Sequence, residues 1–372
     1  MAKAKRKTLP KDFEELLATR DIEALKAVFD SCDVNARGGG FKQTALAFSE
    51  CPDELTRWLV ERGADLSAGD SYGETPLHSR AGHWKGGVEL LIELGAEVNH
   101  DADGRGTPLH RAAATGNLRA AQTLLAHGAR AGATNKNGQT PLMFALQRCS
   151  NATIERMAPM AELLLGTLPD KSEKPRSFVS RVFGGGTKRV SPVTPEMQDL
   201  VHRIGVAFEF HRSGFNPESV DATSRALDRL YTLFDVPPVP RRALHDGKSP
   251  IAAKPGRWED QHQELWELLV PSSGPASTVQ GEVIRISGRI NDELERNGGV
   301  NWDSDYRRMA DAFLDHLSSA RPLPGAELET ARQTIAEVKG QRGGAAEMCK
   351  LAVNWVALNP KPIALSDPDY NR

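Results

Sequence analysis

Gly73-Glu-Thr-Pro-Leu-His78, Gly106-Thr-Pro-Leu-His110 and Gly138-Gln-Thr-Pro-Leu142 decide the fold, because one short phrase returns in phase along the chain. A degenerate earlier copy stands at Gln43-Thr-Ala-Leu46. The threonines Thr44, Thr75, Thr107 and Thr140 are separated by 31, 32 and 33 residues, a period that marks stacked repeats. Each phrase opens a helix. Thr can cap it, Pro at the first helical position gives up no hydrogen bond, and Leu points inward. The first three copies lead to second helices that end in Leu59-Val-Glu-Arg-Gly-Ala-Asp65, Leu90-Leu-Ile-Glu-Leu-Gly-Ala-Glu97 and Leu124-Leu-Ala-His-Gly-Ala129. The glycine after each helix takes the left-handed cap.

Working outward, Phe13-Glu-Glu-Leu-Leu17 and Ile22-Glu-Ala-Leu-Lys-Ala-Val-Phe29 repeat the two-helix pattern, and Asp33-Val-Asn-Ala-Arg37 reads as a hairpin strand. The set resembles the ankyrin-repeat family over residues 11–168, a capping repeat plus four. The resemblance implies an all-α solenoid of helix-turn-helix units with hairpin loops. It also implies that His78 and His110 tie neighbouring loops by hydrogen bonds and are neither ligands nor bases.

Departures from the motif fall at defined places. The first full repeat has Ala45 and Ala47 in place of Pro and His, and its Thr-to-Gly interval is two residues short, which predicts a helix pair that is tightened or frayed. The second carries Arg80 where a small residue normally packs, then Gly82-His-Trp84 in the inter-helix turn. The last has Met143 for His and the insertion Ser150-Asn-Ala-Thr-Ile-Glu-Arg156, so its lengthened final helix is expected to cap the array.

Beyond residue 168 the composition changes. Residues 169–195 are rich in Pro, Gly, Ser, Lys and Arg and read as a linker; they include Phe178-Val-Ser-Arg-Val-Phe183 and Gly184-Gly-Gly-Thr-Lys-Arg189. The glycines there lack the Gly-Lys-Ser/Thr order of a phosphate loop. Residues 196–370 read as a separate α-helical domain of unknown ancestry, with helices at 197–211, 217–234, 258–269, 277–296, 303–318, 326–339 and 345–358. The Pro-rich stretch 237–256 reads as an exposed excursion, and residues 1–10, with Lys3, Lys5, Arg6 and Lys7, as a basic disordered tail.

Composition narrows the function. In 372 residues, 47 Lys and Arg stand against 49 Asp and Glu, so the overall field gives no basis for a nucleic-acid partner. No apolar run reaches the length of a membrane span and no leader follows the basic start, so a cytoplasmic protein is expected. The four cysteines have no metal-ligand spacing, and neither a metal nor a cofactor is expected. Without a nucleophile elbow, a His-Glu-x-x-His helix or a calcium loop, catalysis is not expected either.

Two constellations remain. Repeat tips and inner helices present residues the fold does not dictate, and the candidate partner-binding strip comprises Asp70, Tyr72, His83, Trp84, Asp101, Asp103, Arg105, Arg111, Asn135 and Lys136. In the C-terminal domain, Val279, Val283, Ile286, Ile290 and Leu294 form an apolar helical stripe, beside an ionic stripe of Glu282, Arg285, Arg289, Glu293 and Arg296. The charges flank the core contact and read as a half-buried ladder; its alternatives are i,i+3 and i,i+4 ion pairs, each worth ~0.2–0.5 kcal/mol, and a polar pocket lined by Gln280, Glu282, Arg285, Arg289, Asn301, Trp302 and Asp303. Gly281 and Gly288 inside that helix point to something approaching its backbone. The expected role is a stoichiometric binder of a folded protein, as an adaptor or an inhibitor of the immunity type; the alternative is a ligand-sensing or enzymatic helical domain that the repeats direct to a target.

Overall fold

The computed structural model describes residues 4–84, 86–168, 171–172, 189–190 and 192–370. It is mainly helical, and it divides into two compact units, one of residues 1–208 with 216–239 and the other of residues 209–215 with 240–372. Most of the expected linker, including residues 173–188, lies outside the described residues, as does the start of the expected tail.

The first unit begins with a correction. Residues Arg6–Thr8 are not a solvated tail; they form strand β1, parallel to β2 (Cys32–Gly38), which in turn pairs antiparallel with β3 (Gln43–Thr44). The reason is burial. Leu9 is buried against Gly38, where an added Cβ would come within 2.8 Å of the Leu9 Cβ. The Lys5 ammonium meanwhile donates to the Phe29 carbonyl at 2.7 Å. Helices α1 (Phe13–Thr19) and α2 (Ile22–Ser31) form the expected capping pair, with Phe13 edge-on to Phe29 and Phe48.

The repeats follow in sequence order. In the shortened copy the first helix is reduced to a single 3-10 turn (Ala45–Ala47), followed by α3 (Asp53–Glu61), the tightened of the two expected outcomes. The later copies give α4 (Pro76–Ala81) with α5 (Glu89–Glu93), α6 (Pro108–Thr115) with α7 (Leu118–Ala126), and α8 (Pro141–Arg148) with α9 (Ile154–Thr167). In the two complete motifs, Nδ1 of His78 accepts from the Thr75 amide and hydroxyl while Nε2 donates to the Gly106 carbonyl; His110 does the same between Thr107 and Gln139. Burial lowers the His78 pKa to about 4 and moves His110 in the same direction, which keeps both rings neutral for this role. Where Ala47 replaces the histidine, the Thr44 hydroxyl is buried without a hydrogen-bond partner.

The boundary expected at residue 196 is wrong by two helices. Helix α10 (Pro195–His211) as far as Phe208, and α11 (Pro217–Phe234), belong to the repeat unit, where α11 packs along α9. Thr223 donates to Glu155 at 2.7 Å and Arg229 pairs with Glu162. A periodic reading cannot show this, since an amphipathic helix looks the same whichever apolar face it covers.

The second unit is built around helix α13 (Val279–Asn291), which runs on into a π-helical turn at Asp292–Arg296. It is covered by α12 (Trp258–Leu269), α14 (Ser304–Leu317) and α16 (Ala345–Leu358), and α15 (Gly325–Lys339) packs on α14 and α16. Residues 240–256 are largely exposed but are pinned to the second unit at two points. Ile251 is fully buried, and Arg242 donates to the carbonyls of Trp266, Glu267 and Val270 at the end of α12. That capping role answers three carbonyls at the helix end.

The helical glycines have the expected neighbour, and it is α12. A Cβ at Gly281 would fall 3.1 Å from the Leu269 carbonyl oxygen at the end of α12, and 2.8 Å from the Ala276 Cβ just beyond it, and one at Gly288 only 2.3 Å from Cζ3 of Trp266. That ring is stacked against Phe210 and His262 and has little room to retreat. Ala in place of Gly normally favours a helix by ~1 kcal/mol. Here Gly288→Ala is expected instead to destabilise the second unit by about 1–3 kcal/mol through overpacking, read by urea unfolding at unchanged m-value.

Candidate partner-binding surface

Main-chain bonds join the first tip to the second and the third to the fourth. The Ser71 amide donates to the Phe41 carbonyl at 2.9 Å, and the Lys136 amide to the Gly104 carbonyl at 2.8 Å. Below them Asn35 bonds the main chain at Gly63 and Asp65, and Asn99 does so at Gly128 and Arg130. The tips therefore hold fixed positions. Whatever they carry is presented in register.

Three side chains make a continuous stack across them. Phe41 is 55% exposed and Tyr72 45% exposed, with ring centroids 5.8 Å apart, and the Arg105 guanidinium lies 4.7 Å from the Tyr72 ring centroid. Lys136 follows on the next tip, its stem crossing Gly104, where an added Cβ would meet the lysine Cβ at 3.0 Å. Phe41 was not singled out by the sequence because its repeat has no complete motif to place the tip. The parallel position of Phe41 and Tyr72, 31 residues apart, was the signal to use.

The other expected strip residues separate into different roles. Asp70 accepts from the amides of Tyr72 and Glu74, Asp101 accepts from Gly106, and Asn135 is buried with its side chain bonding Asn137 and Gln139, so these three build the turns. Asp103 sits at the third tip in a left-handed conformation, with its carboxylate over Gly73. Arg111 reaches back from α6 to pair with Glu74. Trp84 is 58% exposed beside His83, but it follows the end of α4, a helix that at 1.5 Å per residue sets it about 9 Å along from the tip. The strip thus reduces to the patch Phe41, Tyr72, Arg105 and Lys136. His83 and Trp84 lie apart from it.

The expected polar pocket does not form. Gln280, Glu282 and Arg285 are fully buried, and their partners come from the fold itself. Gln280 donates to the carbonyls of Asn359 and Lys361 and accepts from the Ile363 amide. Glu282 accepts from Arg285, from the Ala276 amide and from the Tyr370 hydroxyl at 2.7 Å. Asn301 lies elsewhere, bonded to Glu293, while Trp302 stacks on Tyr306 and Asp303 caps α14. Eight residues of helix, about 12 Å, separate Glu293 from Arg285. Arg289 is half-buried on the helix between them. Gln280, Glu282 and Arg285 are fully buried because α12, α14 and α16 cover three faces of α13.

Among the described residues no group of His, Cys, Asp and Glu side chains could hold a metal ion, and no helix is long and apolar enough to cross a membrane.

Comparison with known proteins agrees with the repeat reading. Residues 79–167 match the ankyrin-repeat family, in three copies. Relatives include the mouse ankyrin repeat and SOCS box protein 16, 36% identical over 25% of this chain and 22% of that protein, and the mouse B-cell lymphoma 3 protein homolog, 34% identical over 35% of this chain and 31% of that protein. Ankyrin repeat domain-containing protein 37 of Xenopus tropicalis is 33% identical over 27% of this chain and 62% of its own length. The matched part therefore spans less than a third of the first two relatives. The shared element is the repeat array, a protein-protein interaction module.

Proposed function

We propose that this chain, which carries ankyrin repeats, is a stoichiometric binder of a folded protein, gripped at the repeat tips. The observation that carries the reading is the stack of Phe41, Tyr72 and Arg105, exposed across three successive tips, the first two joined by a main-chain bond and the second and third repeats tied by His78 to the Gly106 carbonyl. Aromatic and arginine side chains of this kind, rigid and half-exposed, are enriched at the energetic centres of interfaces. The fold does not require them. With one unit gripping the partner, the second unit acts to block it or to recruit another protein, the roles of an inhibitor or an adaptor. The ligand-sensing alternative draws nothing from Gln280, Glu282 or Arg285, whose polar groups bond within the fold. Four cysteines without disulfides support a cytoplasmic setting.

The test is capture from a native extract with the full chain, followed by titration of the purified partner against wild type, Tyr72→Ala and Arg105→Ala. Each substitution is expected to weaken affinity about 10-fold or more, the loss of ~1–2 kcal/mol typical of an interface hot spot. A partner that binds all three proteins equally would remove the tip patch from the interface.

A further inference from the structure

We propose that residues 365–370 are a releasable latch, an internal ligand of the second unit, whose tyrosine occupies a pocket that a tyrosine on an extended segment of a partner protein takes in its place. The proposal concerns the second unit alone and does not depend on the tip-binding reading.

The chain just before the latch is fixed. Gln280, fully buried, donates to the Asn359 and Lys361 carbonyls and accepts from the Ile363 amide. The Pro360 carbonyl accepts from the Ile251 amide at 2.7 Å, and the Ile363 carbonyl from the Val279 amide at 2.8 Å. Past Ala364, which bridges to Thr278, these ties stop. Among the described residues, 365–370 form no main-chain hydrogen bond, and Ser366, Asp367 and Asp369 are exposed. One hydrogen bond remains, from the Tyr370 hydroxyl to Glu282 Oε1 at 2.7 Å, with Tyr370 only 4% exposed. The hold therefore rests on that one side chain, with Leu365 and Pro368 half-buried beside it. Stretches with so few bonds open locally at lower cost than packed helices.

The pocket keeps its acceptor without the latch. Arg285 donates to both oxygens of Glu282, and the Ala276 amide donates to Oε2 at 3.0 Å. Release of Tyr370 leaves these bonds in place and frees one acceptor position on Oε1, below the space of a ring whose centroid lies 5.9 Å from the Arg285 guanidinium carbon. That chemistry selects the occupant. A phenol supplies both the ring and the missing donor, whereas a phenylalanine fills the space and leaves the buried carboxylate short of a bond. An extended segment suits the site because the latch itself is extended, with no helix or turn of its own.

Two measurements test the proposal. On the intact wild-type chain, carboxypeptidase is expected to remove residues through Tyr370 under native conditions about 100-fold or more faster than the second unit unfolds, with products followed by mass spectrometry and unfolding by urea kinetics. Removal at the unfolding rate overturns the latch. The second measurement presents a labelled, C-terminally amidated peptide of the sequence Ala364-Leu-Ser-Asp-Pro-Asp-Tyr370 to the full chain carrying Tyr370→Ala. Fluorescence anisotropy is expected to show binding about 10-fold tighter than for the same peptide ending in Phe, and about 10-fold tighter than to wild type, whose own latch competes. A Phe-ended peptide that binds equally well overturns the pocket, as does a folded Tyr370→Ala chain that binds neither peptide. Equal affinity for wild type and variant places the peptide elsewhere and overturns it too. If the alanine variant loses its helical circular dichroism, Tyr370→Phe replaces it: with its latch short of the hydroxyl, it is expected to bind the tyrosine peptide more tightly than wild type does, and no gain overturns the proposal.

Discussion

Arg285→Ala is expected to remove about 3–5 kcal/mol from the stability of the second unit, the largest single effect in that half of the chain. The side chain is buried to about 1% exposure and donates Nε to Glu282 Oε2 at 2.9 Å and Nη2 to Oε1 at 2.6 Å. Truncation leaves the Glu282 carboxylate at zero exposure with only the Ala276 amide and the Tyr370 hydroxyl to compensate it. Breaking such a pair costs far more than the pair itself contributes, because one desolvated charge is left behind.

The pH dependence separates this cause from simple loss of packing. Burial by itself raises the Glu282 pKa, but hydrogen bonds and charge from Arg285, with help from Ala276 and Tyr370, bring it below the usual carboxylate range. The wild-type contribution is therefore present above the unfolded pKa of about 4.3 and is lost as pH falls through the lower folded value. In Arg285→Ala only burial is left to dominate, the folded pKa moves above the unfolded one, and the penalty grows as pH rises. The stability difference between variant and wild type should thus be larger at pH 7 than at pH 4.5 in urea titrations. Replacing both partners, Glu282→Leu with Arg285→Met, should recover most of the loss at pH 7. A single variant costing under about 1 kcal/mol, or a double variant no better than the single one, would contradict the account.

What the sequence made legible follows from how many residues repeat a signal. Thr75, Pro76, His78 and their counterparts recur in phase, so the caps, the inner helices and the inter-loop histidines could be placed to the residue. All seven helices beyond residue 195 were also found, because each carries its own apolar period. Partners were not legible in this way. Nothing in the spacing of Glu282 and Arg285 distinguishes a surface ion pair from one sealed by Tyr370, 88 residues away. Nor does the periodicity of α11 say that it covers α9. The tip patch was half visible: Tyr72 and Arg105 stand in complete motifs, whereas Phe41 precedes a degenerate one, and the turn-building roles of Asp70, Asp101 and Asn135 depend on loop geometry that residue type alone leaves open.

Arg80→Ala, which restores the small residue the repeat pattern would place there, is expected to destabilise the first unit by about 3–5 kcal/mol. The collapsed repeat before it explains why. With only a 3-10 turn at Ala45–Ala47, the chain leaves a gap in the next layer and carbonyls without helical partners. Arg80 fills both needs: Nε donates to the Leu46 carbonyl at 2.9 Å, and Nη2 to the Thr56 hydroxyl at 2.9 Å and the Cys51 carbonyl at 3.4 Å. Burial lowers its pKa, yet a guanidinium remains charged, balanced here by carbonyl dipoles and the more distant Asp53. Alanine would leave a cavity and unmet acceptors together. Arg80→Met restores volume without donors and should recover only the cavity share, so its stability is expected between alanine and wild type. Hydrogen exchange should localise the loosening to residues 45–59, with α6 and α8 protected as before. If alanine proves neutral, the shortened repeat is held by something other than Arg80; if methionine equals wild type, the donors contribute nothing and packing alone explains the residue.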